Sequence, residues 1–424
     1  MRIQLLLILL VAFAGLADAQ LRLPDRLPTR LPDVLPDTQL DPAESLLGQL
    51  EDSVLDEIED ARRDAVNTLV RANRDVLERG PGGSAVLRGE VLVVDPDIVL
   101  LTLAQQNGFR IIEDRTESAL GLRYVRLGAP SGMRAQSALR ILRGLDPDGL
   151  FDLNTVYLPS GMAAHFRGYA EQTHRDLTVG VIDAGVPAQA PVFAAGQVET
   201  RHFRGTSVVP HDHGLQVAAI LGSGNGVVPG ARILAADVYG GQPTGGSADT
   251  LIRALGWMAE SDVRVVNISI VGPENLALRA AVQRFTDQGR LIVAAVGNDG
   301  ASARPLYPAA YEAVIAVTGV DANGDVLPEA IRGDHVDFAA RGMDMVWPSL
   351  NERSVQVRGT SFATPIVTGL LAHQTLLLGS TEAALNALTM QARDLGPRGK
   401  DRVYGHGLVG DGLFQTASGH LAGN

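Results

Sequence analysis

The sequence contains no cysteine. That excludes disulfides, thiolate nucleophiles, thiolate metal ligands and a lipid-anchored cysteine. It leaves the compartment open, because many exported bacterial proteins also lack the residue. Aromatic residues are scarce as well, 4% of a chain that is 46% hydrophobic, so the apolar content is aliphatic. Positive charge is short: 36 Lys and Arg against 48 Asp and Glu give a formal net charge of -12, which argues against a nucleic-acid partner. Long apolar runs are missing after the first residues, and no later segment reads as a bilayer span, which needs about 20 residues. What is abundant is glycine, 47 of 424 residues, as suits an α/β protein with many tight turns. The length has room for two or three compact units.

The chain opens with Met1-Arg2 and an apolar run from Ile3 to Leu16 in which only Gln4 is polar. Ala17-Asp18-Ala19 then places small residues where a signal peptidase reads them. Residues 1–19 read as a secretory signal peptide cut after Ala19; as a membrane anchor the run is short. The expected location is therefore outside the cytoplasm, periplasmic or secreted, with no transmembrane segment left after cleavage. Residues 20–40 repeat Leu-Pro every fourth position, at Leu23-Pro24, Leu27-Pro28, Leu31-Pro32 and Leu35-Pro36. Proline at that spacing forbids a helix interior and points to an extended linker. A long amphipathic helix is expected over 41–80. Asp41-Pro42-Ala43-Glu44 supplies its N-terminal signals and Gly80-Pro81-Gly82-Gly83 its stop. Leu47, Leu50, Val54, Ile58, Ala61, Ala65, Leu69, Ala72 and Val76 form its apolar face.

Residues 88–160 read as one small α+β unit. A strand at Val91–Val94 leads to a helix capped at Asp95-Pro96 and running to Gln106. Strands at Arg110–Ile112 and Leu122–Leu127, a helix over Met133–Leu142 and a strand at Phe151–Leu158 follow. The order β-α-β-β-α-β is that of a ferredoxin-like sandwich. From Leu177 the texture changes. Near-continuous apolar runs at Leu177–Ile182, Ile233–Val238, Val263–Ile270, Leu291–Val296 and Val314–Val317 alternate with helical stretches. Such runs belong to a parallel sheet with helices on both faces, where functional residues gather at the carboxyl ends of the strands.

Amide hydrolysis at neutral pH needs a nucleophile, a base, a group that orients the base and donors for the oxyanion. Four residues occupy such strand ends and helix starts. Asp183 ends Thr178-Val-Gly-Val-Ile-Asp183; alone it reads equally as a turn or cap aspartate. His213 opens an apolar helical run, with the pKa to accept a proton; a metal site with His202 and His211 is the other reading. Ser361 lies in Gly359-Thr-Ser-Phe-Ala-Thr-Pro365 before an apolar helix, where a serine is ordinarily a cap. Asn298 ends Leu291-Ile-Val-Ala-Ala-Val-Gly-Asn298, where a turn asparagine is common.

Together, in this chain order, the four resemble the subtilisin-like serine protease family. Val181-Ile-Asp-Ala-Gly185 resembles the family's aspartate motif and His213-Gly214 its histidine motif. Ala295-Val-Gly-Asn298 resembles its oxyanion motif and Gly359–Pro365 its serine motif; the order Asp, His, Ser is the subtilisin order. The resemblance covers residues 177–416. It implies Ser361 as nucleophile, His213 as base, Asp183 as its orienter, and an oxyanion hole of Asn298 and the Ser361 N–H. Polypeptides are the implied substrates. No cofactor is required for the chemistry and no metal is assigned; calcium is common in the family, so a structural calcium stays open, but no loop here is specific enough to assign to it. Ser269-Ile270-Val271-Gly272 resembles the family's substrate-binding strand, with Val271 where the first glycine usually stands, so a pocket narrowed for small residues is expected. Leu215-Gln216 replaces the usual Thr-His after the histidine motif. The unit 88–160 sits where the family carries a propeptide that assists folding and inhibits, and self-cleavage is expected between Leu158 and Asp176. The alternatives are a catalytically silent binding protein of the same fold and a metal-dependent hydrolase using His202, His211 and His213.

Overall fold

The computed structural model describes residues 63–159, 162–163, 174–351 and 353–413. The signal segment 1–19, the linker 20–40, residues 41–62 of the expected helix, residues 414–416 of the peptidase region and most of the expected self-cleavage interval lie outside the described residues.

The first described helix, residues 63–72 (α1), ends sooner than the glycine stop at Gly80 suggested. Asn73 takes the Leu69 carbonyl through its Nδ2 at 2.8 Å, and the amides of Val76 and Leu77 close onto the Asn73 carbonyl at 3.1 and 2.8 Å. Leu77 then turns inward, fully buried beside Val66, Ala85, Leu87 and Val156, and Leu77–Arg79 (β1) pairs antiparallel with residues 85–87. Gly80-Pro81-Gly82-Gly83 therefore turns a hairpin.

The unit that follows starts at 85, not 88. Its elements are Ala85–Val94 (β2), Ile98–Gln106 (α2), Arg110–Glu117 (β3), Leu122–Gly128 (β4), Ala135–Leu145 (α3) and Leu150–Thr155 (β5). The strands lie in the order β3-β4-β2-β5, all antiparallel, with β1 also on β2. Asp97, not Asp95, caps α2, accepting from the Leu100 amide at 2.7 Å; Asp95 sits in the left-handed region with φ 46° and cannot begin the helix. Side chains alternate along each strand. Val91, Val93, Val125 and Leu127 meet Leu101, Ala104, Ala138 and Leu142 from the unit's own helices. Leu92, Val94, Leu122 and Tyr124 face the other way and belong to the core of the next region.

That region is built on Thr178–Asp183 (β8), Val198–His202 (β9), Arg232–Asp237 (β10), Val265–Ile268 (β11), Leu291–Ala295 (β13), Ile315–Val320 (β14) and Val336–Arg341 (β15), numbered in chain order with the short strands Leu158–Pro159 (β6), Met162–Ala163 (β7), Ile270–Val271 (β12), Met345–Pro348 (β16) and Ser354–Arg358 (β17). Among the described residues the seven long strands form one parallel sheet in the order β15-β14-β13-β11-β8-β10-β9. Ala248–Glu260 (α5) and Leu276–Thr286 (α6) cover one face. Asp212–Gly222 (α4), Thr360–Leu378 (α7) and Thr381–Gln391 (α8) cover the other. This is the expected parallel sheet flanked by helices. The helix α7 corrects one expectation: its 19 residues are long and apolar enough to cross a membrane by length and composition, and 67% of that window is buried inside the protein. Its apolarity matches its place among the core residues of the sheet's second face.

Candidate active site

Asp183 is the last residue of β8 and His213 lies in the first turn of α4, both buried. The carboxylate Oδ1 lies 2.7 Å from His213 Nδ1 and also accepts the Ala184 amide at 2.7 Å. Gly214 makes this approach feasible, because a Cβ there would stand 2.2 Å from the Ala184 carbonyl oxygen, and so α4 can butt directly against the end of β8. With Nδ1 given to a carboxylate, the ring is fixed in the tautomer that leaves Nε2 as acceptor. Among the described residues nothing hydrogen-bonds the buried Nε2. That is the atom required of a general base.

Ser361 is the second residue of α7, fully buried, two positions after the capping Gly359. His213 stacks at a tilt 5.5 Å from the ring of neighbouring Phe362, which brings the imidazole to the nucleophile's side. The Ser361 hydroxyl is donated to the Ser269 carbonyl at 3.0 Å, so it must rotate before it can reach the imidazole; such bonds commonly tighten only with substrate in place. Beneath it runs a buried polar chain. Ser269 Oγ donates to the Ser361 carbonyl at 2.9 Å, Asn267 Nδ2 to Ser269 Oγ at 2.9 Å, and Thr368 Oγ1 reaches Asn267 Oδ1 at 3.1 Å. Asn298 Oδ1 accepts the Thr360 amide at 3.0 Å, and Thr360 Oγ1 accepts the Gly297 amide at 3.2 Å. Anchoring the oxygen end turns the amide's donor end away from Thr360. The positive end of α7 adds to the field that favours an oxyanion here.

Ser269, Ile270, Val271 and Gly272 form the rim beside the nucleophile, and the same chain is paired against it. Pro159 lies opposite Ile270 and Leu158 opposite Val271, antiparallel. Val156 bridges Ser247 on the other rim. Beyond the site, Met162 and Ala163 pair antiparallel with Arg358 and Val357 of Ser354–Arg358 (β17). The three histidines of the metal reading do not converge: His211 caps α4 and accepts the His213 amide on Nδ1 at 3.1 Å, His213 Nδ1 meets Asp183, and no group of three candidate ligands is found among the described residues.

Sequence reading missed three participants. Thr360 stands inside the serine motif, where its role in aiming Asn298 leaves no separate trace. Tyr157 is one aromatic in an apolar strand end. Asp249 opens α5 and is fully buried, binding Ser247 Oγ at 2.6 Å, Asn154 Nδ2 at 2.9 Å and Arg126 Nη1 at 2.8 Å. Burial pushes its carboxyl up, but the guanidiniums of Arg126, Arg253 and Arg204 outweigh that and hold it at about 2. This residue joins the N-terminal unit to the sheet region.

The chain is 30% identical over 262 residues to the minor extracellular protease Epr of Bacillus subtilis, a match spanning 59% of this chain and 40% of Epr. It is 32% identical over 270 residues to M-protease of Shouchella clausii, spanning 58% of this chain and 65% of that protein, and to subtilisin Savinase of Lederbergia lenta, spanning 92% of the latter. Among solved structures, fervidolysin from Fervidobacterium pennivorans, described as a keratinolytic enzyme related to subtilisin, superposes with a TM-score of 0.64 at 19% identity, over 78% of this chain and 61% of its own. That shows likeness of fold, and over more of the chain than the sequence relatives span. The family model for the subtilase family matches residues 174–407, which takes in Asp183, His213, Asn298 and Ser361, and this chain belongs to the subtilase family.

Proposed function

We propose that the protein is a serine endopeptidase that matures by cutting its own chain after Ser160. Ser361 Oγ attacks the carbonyl carbon as its proton passes to His213 Nε2. Asp183 remains a carboxylate, holding Nδ1–H and stabilising the imidazolium. The oxyanion is met by Asn298 Nδ2 and the Ser361 N–H. Collapse returns the proton from His213 to the departing amine and leaves an acyl-serine. Water, deprotonated by the same imidazole, then adds to the ester and frees Ser361.

The observation that carries this reading is the substrate-like pairing of the chain on both sides of Ser361. Residues 158–159 lie on the Ile270–Val271 rim and residues 162–163 on β17. On the rim, the residue before Ile270 is Ser269, whose carbonyl already accepts the Ser361 hydroxyl, so the nucleophile stands next to the Pro159–Ile270 pair. The bond after Ser160 is thus the one assigned to cleavage. It lies within the interval from Leu158 to Asp176.

The unit 85–155 then acts as propeptide and inhibitor. Its β-α-β-β-α-β order and β3-β4-β2-β5 arrangement support a ferredoxin-like propeptide, and its exit strand fills the cleft. Val271, buried beside Leu158, stands where the family's glycine leaves room, which favours small residues before the cut, and Ser160 is one. Export is supported by the charged, apolar and small-residue pattern of residues 1–19 and by a relative named as extracellular.

The test is hydrolysis of an internally quenched peptide carrying alanine or serine before the cut, by wild type and by Ser361→Ala. Hydrolysis by wild type alone is expected. Hydrolysis by both assigns the activity elsewhere, and a profile dominated by Phe or Tyr before the cut contradicts the narrowed pocket.

A further inference from the structure

The segment in the cleft divides its side chains between two cores. Side chains alternate along an extended chain, and here Tyr157 goes one way, Val156 and Leu158 the other. Tyr157 is fully buried in the core of the peptidase region. Its carbonyl accepts the Tyr239 hydroxyl at 2.7 Å, and its own hydroxyl donates to the Pro273 carbonyl at 2.9 Å. Val156 is buried in a separate small core with Val66, Leu77, Ala85 and Leu87, against which Leu158, Leu69 and Val70 also pack. A peptide lying in an open cleft leaves such outward side chains to water. In this chain α1 and β1 roof them over.

The roof is fastened to the N-terminal unit. β1 pairs with residues 85–87, and the Arg88 amide donates to the Val76 carbonyl at 2.9 Å. Glu78 of β1 is buried and accepts the amides of Gly89 and of Ala135, the first residue of α3. Arg134 and Arg88 stand 3.6 and 4.0 Å from the same carboxylate. The cleft segment is tied to that unit too, because the Val156 amide donates to the Ala85 carbonyl at 2.9 Å. Residues 156–158 therefore lie between two layers, the peptidase cleft below and residues 63–87 above.

We infer that residues 63–79 form an autoinhibitory latch that holds residues 156–158 in the cleft from outside, so that breaking the bond after Ser160 does not by itself open the active site. The inference rests on the self-processing reading. Cutting frees the chain at Ser160 but removes none of the contacts just named. To leave, the segment must either uncover Val156 and Leu158 together with Val66 and Leu77, or carry the whole roof with it. Both routes expose apolar surface, and the free energy of a local opening rises with the buried contacts it breaks. The latch must lift as well as the bond break.

The experiment uses the full chain as wild type, Val66→Ala and Val66→Asp. Val66 lies on α1, outside the catalytic machinery. Mass spectrometry reads the terminus at Gly161, and the rate at which a fluorophosphonate labels Ser361 reads the opening of the cleft. The expected result is the same new terminus in all three chains. Labelling should be about tenfold faster in Val66→Asp, on the order of losing the burial of one aliphatic side chain, and faster by a smaller factor in Val66→Ala. Equal rates overturn the latch. Should Val66→Asp fail to fold, Val66→Ala decides. The control is Val125→Ala, an equal truncation in the unit's own core; acceleration there as large as in Val66→Ala would assign the effect to general loosening and also overturn the latch. Should no chain gain the Gly161 terminus, the self-processing reading falls. The labelling rates of the uncut chains then decide the latch by themselves.

Discussion

The two sheets of this protein finish their cores differently. The parallel sheet is covered on one face by α5 and α6 and on the other by α4, α7 and α8. The antiparallel sheet of the N-terminal unit has helices of its own on one face only. Its other face, with Leu92, Val94, Leu122 and Tyr124, is completed by residues of α5 and α6 such as Leu251, Leu255, Leu278 and Ala281. One sheet is self-sufficient and carries the chemistry; the other is whole only while docked. On the proposed propeptide role, the difference would let a unit be bound firmly and still be released. Its hold includes a shared apolar face, a buried ionic junction at Asp249, Asp152, whose carboxylate accepts the Leu276 amide at the start of α6 at 2.8 Å, and the Asn275 Nδ2 donated to the Leu153 carbonyl at 2.7 Å.

The comparison breaks hardest at the self-sufficient half. Asp183→Asn, by removing the partner of His213 Nδ1, is expected to lower kcat about 10⁴-fold, while residues 63–159 stay docked; steady-state kinetics and protease protection read the two effects separately. Asn298→Ala is expected to lower kcat about 10²–10³-fold, a magnitude carried over from subtilisin, with KM little changed. Equal loss in both constants would sink its oxyanion role.

The next test sets the two faces of the N-terminal sheet against each other. Leu122→Ala, on the shared face, and Leu127→Ala, on the unit's own face, are both fully buried positions and each costs about 2–5 kcal/mol. Leu122→Ala should weaken inhibition by the separated unit, and Leu127→Ala should mainly lower the unit's own melting temperature. The same outcome from both variants would contradict a borrowed face.

The smallest effect is electrostatic. Arg126→Ala is expected to weaken docking by about 2 kcal/mol, roughly 30-fold. That is less than for a buried charge losing its sole partner, because Arg253 and Arg204 remain beside Asp249. Since Asp249 is held down at about 2 from an ordinary 3.8, its contribution is fully present above the ordinary value and is lost as pH falls through about 2. Residues 63–159 contain no histidine. Inhibition measured against pH should therefore show no step near pH 6–7 arising from that unit.

Much of the site was legible because its chemistry is concentrated in short motifs. Asp183, His213, Asn298 and Ser361 each sit where an apolar run stops or starts, and the fold brings strand ends and helix starts together. Five of the parallel strands announced themselves as buried aliphatic runs. β9 did not, because at the sheet edge its sequence Val-Glu-Thr-Arg-His is polar and mostly exposed. The expected helix runs past residue 72 because Val76 continues the spacing of three and four from Leu69 and Ala72, and only the turn at Asn73 and the pairing of residues 77–79 with 85–87 end it. The Arg126–Asp249 junction joins residues 123 positions apart, and the seat of Tyr157 is made of backbone carbonyls and distant hydroxyls. Neither leaves a local pattern.

Mass spectrometry of purified wild type and Ser361→Ala, each treated with a fluorophosphonate, tests the central claim most directly. The account predicts an adduct on Ser361 and a new amino terminus at Gly161 in wild type, with both absent from the variant. A Ser361→Ala chain that trims itself at the same bond, or a folded and processed wild type that takes up no label, would contradict it.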